Sequence, residues 1–367
     1  MTIRDKRQEQ FANIWMDHGR FGILNLCPRF GKIRTTINIL DRFEYNQHIL
    51  IAYPDNKIKQ AWIDEFELMG YKNENVMYTT HRSLHKHVDT WDIIIIDEIH
   101  LLSPAQREVC QELFEKNLYV LGLTGTLSKW TKRDLRLELG IEVMAEYTIQ
   151  EAIKEGVITD YEITVIQVPL DNTVINEYTK KKIKKTELQQ FNFLSSQINK
   201  MMYTGANTMF HRLARMRIIQ NSVSKLNKTK EILTGNPDER ILVFCGITKI
   251  ADALGIPSHH SKSKDKEAFN RFAEGEGNHM AVVKIGNTGV TYKPLNKVII
   301  NYFDSNAENL AQKINRCMAM EYDTPDKKSH IYIISSNTET ELRWLQKSLE
   351  FFDESKIKYV ENSYICK

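Results

Sequence analysis

Apolar runs alternate with segments of helical periodicity along the first 165 residues. The run Ile93–Ile96 contains no polar residue and leads directly into Asp97 and Glu98. Such a run is typical of a strand covered on both faces, and strands of that kind belong mostly to parallel sheets. Other strand-like runs lie at residues 20–26, 48–54, 75–80 and 118–125, and helical segments at residues 7–19, 32–43, 56–70 and 104–116. This alternation predicts βαβ units and a parallel sheet.

The same alternation returns in the last third of the chain. Strand-like runs lie at residues 240–246, 279–286, 296–303 and 329–335, and helical segments at residues 265–275 and 307–320. The length of 367 residues exceeds that of one comfortable core. We therefore predict two α/β domains with parallel sheets, at residues 1–165 and 236–367, joined by a basic helical segment at residues 166–235.

Positive charge is concentrated in the joining segment. Residues 171–230 contain 12 basic and 3 acidic residues, against 20 and 25 in residues 1–170 and 18 and 19 in residues 231–367. This asymmetry favours a polyanion as partner, although a solvated lysine-rich helical face explains the same counts. The spacing of Phe210, Leu213, Arg217 and Ile218 predicts an apolar stripe that packs on the second domain. The basic residues expected to be exposed along a groove for a phosphate backbone are Lys180, Lys181, Lys184, Lys185, Arg212, Arg215 and Lys225.

Several other classes of protein are not indicated. No window reaches the roughly 18 uncharged apolar residues of a membrane span, and the N-terminus is charged, so we expect a cytoplasmic protein without a membrane partner. The five cysteines form no CxxC pair, which predicts reduced thiols. His81, His85 and His87 have no cysteine or carboxylate framework around them and favour a solvated loop over a metal site.

The segment Leu24–Thr36 lies between a predicted strand and a predicted helix, where a phosphate-binding loop would lie. Gly31 would let the backbone approach a phosphate, and Lys32 would supply a positive charge. The pattern is degenerate, because the first glycine of G-x-x-x-x-G-K-[ST] is absent and Ile33 occupies the position of the hydroxyl that normally holds Mg²⁺. Taken alone, a Gly-Lys pair is more often a chance turn.

Asp97 and Glu98 supply the second part of a nucleotide site. Ligands of open parallel sheets bind at the carboxyl ends of the strands, where these two residues are predicted to lie. Asp97 would hold Mg²⁺, and Glu98 would orient the attacking water as general base. An acidic pair that merely caps a strand at the surface is the alternative.

Together these residues resemble those of a known family. The sequences DEIH at 97–100, LTGTL at 123–127, RQEQFANIW at 7–15 and AQKINR at 311–316 resemble, in order and spacing, the motifs of superfamily 2 helicases. The resemblance is greatest to compact DEAD/DEAH-like helicases often found in bacteriophages, related to branch-migration and type III restriction helicases. It implies two RecA-like domains, ATP and Mg²⁺ as cofactors, and movement along nucleic acid. DNA is preferred over RNA by this resemblance alone.

The resemblance also assigns roles to single residues. Gln8 resembles the glutamine that reads adenine, and His100 resembles the histidine that couples the acidic motif to the second domain, with Gln312 as its partner. Arg316 resembles the arginine finger. Nucleotide-binding residues by this resemblance are Gln8, Arg29, Phe30, Gly31, Lys32, Ile33, His100 and Gly289. Those expected at nucleic acid are Pro54, Thr79, Thr80, Thr126, Lys184, Arg212 and Thr288. Trp130 is either a wedge at a strand fork or an ordinary core or surface aromatic.

Three positions depart from the family pattern. Besides Ile33, Ala319 replaces the second arginine of Q-x-x-G-R-x-x-R, and Thr291-Tyr292 replaces the usual acidic residue of the fifth motif. An arginine finger contributes about 10³-fold or more to the rate, so these changes predict slow hydrolysis if Arg316 acts alone. Thr35, Thr36 or water would then complete the Mg²⁺ shell.

We therefore predict an ATP-dependent helicase or translocase that acts as a monomer in the cytoplasm, in the host cell if it is phage-encoded. Other replication, recombination or repair proteins are the expected protein partners. A non-hydrolysing nucleic-acid scaffold and the motor subunit of a restriction complex are the two rivals. Lys32, Asp97, Glu98, Gln312 and Arg316 are the predicted catalytic residues. A triphosphate between Lys32 and the acidic pair, with Arg316 facing it from the second domain, is the central expectation.

Overall fold

The computed structural model describes residues 1–43, 47–178, 183–283, 295–304, 307–318 and 328–361. The chain divides into two compact units, and the boundary lies between Thr159 and Asp160. Each unit is built around a parallel sheet with helices in the crossovers, so the predicted fold class is confirmed. Within these ranges no helix has the length and apolar character that crossing a membrane requires.

The first unit contains a parallel sheet of six strands among the described residues, in the order β3-β2-β4-β5-β1-β6. Its strands are β1 (Phe21–Leu26), β2 (Ile49–Tyr53), β3 (Val76–Thr80), β4 (Ile93–Asp97), β5 (Val120–Thr124) and β6 (Val143–Tyr147). Its helices are α1 (Ile3–Asp17), α2 (Lys32–Leu40), α3 (Lys57–Met69), α4 (Pro104–Glu115), α5 (Lys129–Leu139) and α6 (Ile149–Lys154). Every residue of β1 except Phe21, and every residue of β2, β4 and β5, is buried. The isoleucine run is therefore a central strand covered on both faces, as predicted.

The second unit contains a parallel sheet of seven strands among the described residues, in the order β11-β12-β10-β13-β14-β7-β15. The strands of this unit, including the antiparallel pair β8-β9, are β7 (Asp160–Val168), β8 (Asn176–Tyr178), β9 (Ile183–Lys185), β10 (Ile241–Cys245), β11 (Ser258–His259), β12 (His279–Val283), β13 (Lys297–Ile300), β14 (Lys328–Ser336) and β15 (Ile357–Glu361). Its helices are α7 (Glu187–Tyr203), α8 (Met209–Gln220), α9 (Val223–Thr234), α10 (Thr248–Ala253), α11 (Ala268–Ala273), α12 (Ala307–Ile314) and α13 (Glu339–Leu349).

The second unit begins earlier than the predicted domain boundary. Strand β7 starts at Asp160 and pairs along its whole length with β14, so the predicted boundary at 165 and 166 falls inside a strand of the second sheet. The helices α7, α8 and α9 of the predicted joining segment belong to the same unit. The basic segment is therefore an elaboration of the second unit in this structure.

Helices α7 and α8 of the basic segment pack mainly on each other, whereas α9 packs on β7 and β14 of the second sheet. Helices α7 and α8 form a pair whose small core contains Phe191, Leu194, Ile218 and Ile219. The predicted apolar stripe is wrong at its N-terminal end, because Phe210 is 79% exposed and Leu213 is 38% exposed. Only the C-terminal turn of α8 reaches the core.

Candidate functional site

The loop between β1 and α2 has the shape that anion binding requires. Arg29 has φ of 68° and Gly31 has φ of 100°, so two residues of this short loop are left-handed. Left-handed residues turn successive backbone amides towards one side, where they form a concave site for an anion. Helix α2 begins at Lys32, and its free N-terminal amides add to the positive potential there. This geometry agrees with the predicted phosphate loop.

Gln8 supports this loop through side-chain hydrogen bonds to its backbone. Its side chain on α1 is buried, and its Nε2 donates hydrogen bonds to the carbonyl oxygens of Phe30 at 3.0 Å and Gly31 at 3.4 Å. A Cβ atom at Gly31 would lie 2.5 Å from that nitrogen, so the close contact needs glycine as well as the positive φ. Gln8 is thus a support of the loop in this structure, and its role in reading adenine stays a prediction.

Phe30 lies in the core beneath the loop. Its ring is fully buried between Phe11 and Tyr147, with centroid distances of 5.7 and 4.9 Å. Only the backbone of Phe30 could therefore meet a nucleotide. The aromatic cluster fixes the loop against the helix α1 that also carries Gln8.

The carboxyl end of β4 brings the predicted acidic pair to the loop. The ammonium group of Lys32 forms an ion pair with Oε1 of Glu98. Glu98 has φ of 51°, so its backbone turns sharply as the strand ends. Asp97 accepts a hydrogen bond on Oδ2 from Nε1 of the buried Trp62 at 3.1 Å. Lys32, Asp97 and Glu98 therefore converge within one unit, which agrees with the predicted grouping.

One carboxylate oxygen of Asp97 has no hydrogen-bond partner in the part of the chain that the structure describes. Its Oδ1 is buried and has no hydrogen bond of normal geometry in the described part of the chain. Burial raises the pKa of Asp97 to about 6, against the opposing effect of the Lys32 ammonium. An orphaned buried carboxylate oxygen costs free energy unless a cation or donor meets it. Asp97 is therefore a suitable ligand for a divalent cation.

Glu98 and Lys32 stabilise each other's charged forms. Burial alone would raise the pKa of Glu98, but the nearby Lys32 and His100 outweigh burial and lower that pKa. Burial would likewise lower the pKa of Lys32, and the Glu98 and Asp97 carboxylates raise it instead. Glu98 is thus held as a carboxylate next to Lys32, the form that a general base requires.

A hydrogen-bonded chain links the acidic motif to the end of β5. The hydroxyl of Thr124 donates to the carbonyl oxygen of Thr126 at 3.2 Å, so it accepts from Nδ1 of His100 at 2.8 Å. His100 also lies 3.4 Å from Oε2 of Glu98. The buried Oγ1 of Thr126 has no hydrogen-bond partner among the described residues. His100 therefore lies between Glu98 and the Thr124–Thr126 turn, and its role in coupling the acidic motif to the second domain stays a prediction.

Gly125, in the same turn, lies directly against the phosphate loop. A Cβ atom at this position would lie 3.2 Å from the carbonyl oxygen of Leu26 and 3.4 Å from Nζ of Lys32. The absence of a side chain lets the end of β5 approach Lys32. Sequence reasoning named this motif from resemblance, but only the structure shows its contact with the loop.

The hydroxyls proposed to replace the missing first-turn Mg²⁺ ligand each donate a hydrogen bond within α2. Thr35 and Thr36 are fully buried, and their Oγ1 atoms donate to the carbonyl oxygens of Gly31 at 3.2 Å and Lys32 at 3.0 Å. Each bond goes back one helical turn, towards the N-terminus of α2. Donation uses the hydroxyl proton and leaves the oxygen lone pairs, so the expectation that Thr35, Thr36 or water completes the Mg²⁺ shell stays a prediction.

The residues predicted to contact nucleic acid in the first unit lie at the same sheet edge. Pro54 follows β2, and Thr79 and Thr80 end β3. Thr79 is buried, whereas Thr80 is half-buried and donates from Oγ1 to Oγ of Ser83 at 3.3 Å. His81 is also buried, donates from Nε2 to the carbonyl oxygen of Asp97 at 2.9 Å, and has its pKa lowered to about 4 by burial. The solvated loop expected for the three histidines is therefore wrong at His81, and among the described residues no three His, Cys, Asp or Glu side chains are grouped as ligands of one metal ion.

Part of the predicted site lies outside the described residues or side chains. Thr288, Gly289, Thr291 and Ala319 lie outside the described residues. Arg316 lies in a short 3-10 helix at Asn315–Cys317, and its side chain is not described. Gln312 lies in the preceding helix α12 and is half-buried. The roles of these residues stay predictions.

The basic residues predicted to be exposed along a groove are not all exposed in the second unit. Lys184 and Arg212 are exposed, as expected, whereas Lys185 and Arg215 are half-buried, and Nζ of Lys185 lies 3.5 Å from the ring centroid of Phe193. Lys225 is instead 1% exposed and forms a buried ion pair with Glu341 of α13. Its assignment to an exposed groove is wrong. The burial of Lys225 could not be read from the neighbouring sequence, because its partner Glu341 lies more than a hundred positions away. The side chains of Lys180 and Lys181 lie outside the described residues.

The comparisons with known proteins point to the same architecture. Residues 224–320 match the family model for the helicase conserved C-terminal domain. A solved structure described as "ATP-dependent Type ISP restriction-modification enzyme LlaBIII bound to DNA" has a similar fold, with a TM-score of 0.61 at 14% identity. The match covers 98% of this chain and 31% of that protein, so this chain spans about a third of its length. A search of curated proteins found no match. The two matches agree with a fold of two α/β units that each contain a parallel sheet.

Proposed function

We propose that the chain is an ATP-hydrolysing motor that moves along or remodels nucleic acid. The observation that carries the proposal is the convergence of Lys32, Asp97 and Glu98 at the N-terminus of α2, beside a loop with two left-handed residues. Phosphoryl transfer depends mainly on positioning and on neutralising charge. Lys32 would bind the β and γ phosphate oxygens, and Glu98 would then be released to orient the attacking water.

The residues present fit a bound Mg²⁺ ion. Magnesium in nucleotide sites is usually held by one or two carboxylates, substrate phosphates and water. Asp97 offers a buried oxygen without a hydrogen-bond partner among the described residues, which suits such a ligand. When bound, the ion would neutralise charge on the phosphate oxygens. Because Ile33 stands where a hydroxyl would be, water, phosphate oxygens and the hydroxyls of Thr35 or Thr36 remain to fill its other positions.

The proposal that nucleic acid is the substrate rests on the comparisons and on charge, not on the geometry of the nucleotide site. The match of residues 224–320 to the helicase C-terminal domain is the first element of that support. The solved structure with a similar fold is described as bound to DNA, and we take DNA as the preferred substrate for this chain too. The excess of positive charge at residues 171–230 is compatible with a phosphate backbone.

The direct test is phosphate release from ATP with increasing concentrations of single-stranded, duplex and branched DNA and of RNA. We expect magnesium-dependent turnover that rises with at least one of these nucleic acids, and most strongly with DNA. A rival function, a non-hydrolysing nucleic-acid scaffold, is favoured by the lack of a first-turn hydroxyl for Mg²⁺. It predicts binding with no turnover under any of these conditions, which would refute the motor.

A second rival is the motor subunit of a restriction complex, since the solved structure with a similar fold is described as a restriction-modification enzyme. Mass measurement of the purified chain, alone and with DNA, separates a monomer from such an assembly. A monomer that turns over ATP alone favours the first proposal.

Nucleotide binding is expected to weaken as the pH falls through 6. Asp97 must lose its proton to hold Mg²⁺, and its pKa of about 6 lies above the ordinary value, so the loss begins at higher pH than for an exposed aspartate. The pKa of Glu98 is lowered and that of His81 is about 4, so neither titrates near pH 6. Magnesium-dependent affinity should be about tenfold lower at pH 5 than at pH 8, from the titration of one group.

The measurement is binding of a fluorescent ATP analogue between pH 5 and 8, with magnesium and with EDTA. The EDTA series is the control for effects that do not need magnesium, and a shifted midpoint in Trp62→Phe separates Asp97 from the terminal phosphate of ATP, which also titrates at about pH 6. Trp62→Phe removes a hydrogen bond that favours ionised Asp97 and should move the midpoint to higher pH. A magnesium-dependent difference that stays constant from pH 8 to pH 5 would contradict the assignment.

A further inference from the structure

The second unit contains a basic cavity that the nucleotide site does not use. Its volume is about 920 Å³, and it is lined by residues of α7, α8 and α13. Ligand cavities commonly have volumes of about 300–1,000 Å³. Four cationic side chains line it: Arg212, Arg215, Arg343 and Lys347. Among the described residues that line this cavity, none is acidic.

The positive charges of the cavity act on each other. Burial lowers the pKa of Arg215, and the guanidinium groups of Arg212 and Arg343 lower it further. The contacts that compensate are weak: Arg215 donates to Oγ of Ser195 at 3.3 Å, and Arg343 lies 3.9 Å from an exposed carboxylate oxygen of Glu339. An anion between these guanidinium groups would relieve their repulsion and accept charge-assisted hydrogen bonds.

One aromatic and several methionine side chains line the cavity beside the arginine and lysine side chains. Trp344 lines the cavity together with Met202, Met209 and Met216. Met202 and Met209 are 57% and 60% exposed, so this apolar surface is open to a ligand. Sites for single strands combine cations that contact phosphates with aromatic side chains on which bases stack. The lining of this cavity has both features.

A buried ion pair fixes the helix that carries half of this lining. Glu341 lies in α13 between Thr340 and Arg343, both of which line the cavity. One of its oxygens pairs with Lys225 of α9, and the other accepts from the backbone amide of Ser336 at 2.7 Å. Rotation of α13 would break both contacts, so Arg343 and Trp344 are held facing the cavity.

We propose that the cavity formed by α7, α8 and α13 is an accessory binding site for a single-stranded nucleic acid. Arg212, Arg343 and Lys347 contact its phosphates, and Trp344 stacks on a base. The inference rests on the proposed function only in taking nucleic acid as the substrate. It adds a site built from residues that take no part in nucleotide binding, and this site holds the strand whether or not ATP is bound.

The test measures the anisotropy of a fluorescent oligothymidylate with the full chain, without nucleotide. We expect Trp344→Ala to weaken binding on the order of tenfold and to remove the quenching of tryptophan fluorescence by the oligonucleotide. The double variant Arg343→Ala/Lys347→Ala should flatten the dependence of log affinity on log salt by about 0.7 for each lost phosphate contact. The matched controls are Lys230→Ala, an exposed lysine of α9, and Tyr359→Ala, which removes an exposed aromatic side chain of β15.

The outcomes separate this inference from the proposed function. Both Arg343 and Lys347 are exposed, so the double variant should keep the wild-type melting temperature and basal ATP turnover. If wild type shows no turnover but oligonucleotide binding depends on Trp344 and Arg343, the motor proposal fails and the accessory site stands. Wild-type affinity and salt dependence in both cavity variants would overturn the accessory site. Competition by polyglutamate, with oligonucleotide binding unaffected by the variants, would assign the cavity to an acidic protein partner and also overturn it.

Discussion

Lys32→Ala is expected to abolish nucleic-acid-stimulated ATP turnover, with a loss on the order of 10²–10³-fold, as for removal of one preorganised charge at a reacting centre. Two effects add. The phosphates lose the only described ammonium group that contacts the acidic pair. Glu98 loses the cation that outweighs its burial, so its pKa rises and less of it is ionised as the general base.

The measurement is phosphate release at saturating DNA, with nucleotide binding measured in parallel. Lys72→Ala is the control, because Lys72 is an exposed lysine of the same unit. Lys32→Arg should restore little activity, since a planar guanidinium does not replace a compact ammonium in a loop this tight. Stimulated turnover that persists unchanged in Lys32→Ala would show that ATP is hydrolysed elsewhere or by a contaminant.

The sequence pattern predicted the buried strands of both sheets and the grouping of the phosphate loop with the acidic pair. The apolar runs of β1, β2, β4, β5, β10 and β12 were recognisable because each is buried almost throughout, and a buried strand needs no knowledge of its neighbours. The grouping of Lys32 with Asp97 and Glu98 followed from the rule that parallel strands end at one edge. These were predictions from residue type and order alone.

The features that sequence reasoning missed depend on distant contacts. Strand β7 was cut by the predicted boundary, because its partners β14 and β15 lie far along the chain and give no local signal. The aromatic packing of Phe30 likewise needs Phe11 and Tyr147 brought together by the fold.

Lys225 shows most clearly how a distant partner changes an interpretation. A lysine among other basic residues predicts a solvated side chain, and burial of an unpaired ammonium would be prohibitive. Its burial is possible only because Glu341 lies opposite and because Ser336 satisfies the second oxygen of Glu341. The pKa of Lys225 is nevertheless lowered, because burial outweighs the attraction of Glu341. The same pair holds the helix that carries Arg343 and Trp344, so it connects stability to the proposed accessory site.

Lys225→Met is expected to destabilise the second unit by about 3–5 kcal/mol, because it leaves the Glu341 carboxylate buried without its counter-ion. Lys225→Met/Glu341→Gln should recover most of that loss, since the glutamine oxygen can still accept from the Ser336 amide and no buried charge remains.

Lys228→Met is the matched control on α9, because Lys228 pairs with the exposed Glu231, and surface pairs contribute only about 0–1 kcal/mol. Urea unfolding followed by circular dichroism gives the free energies, with the first unit as an internal reference. The explanation requires the double variant to be more stable than Lys225→Met, and equal or lower stability would show that the lysine stem, not the buried charge, supplies the contribution.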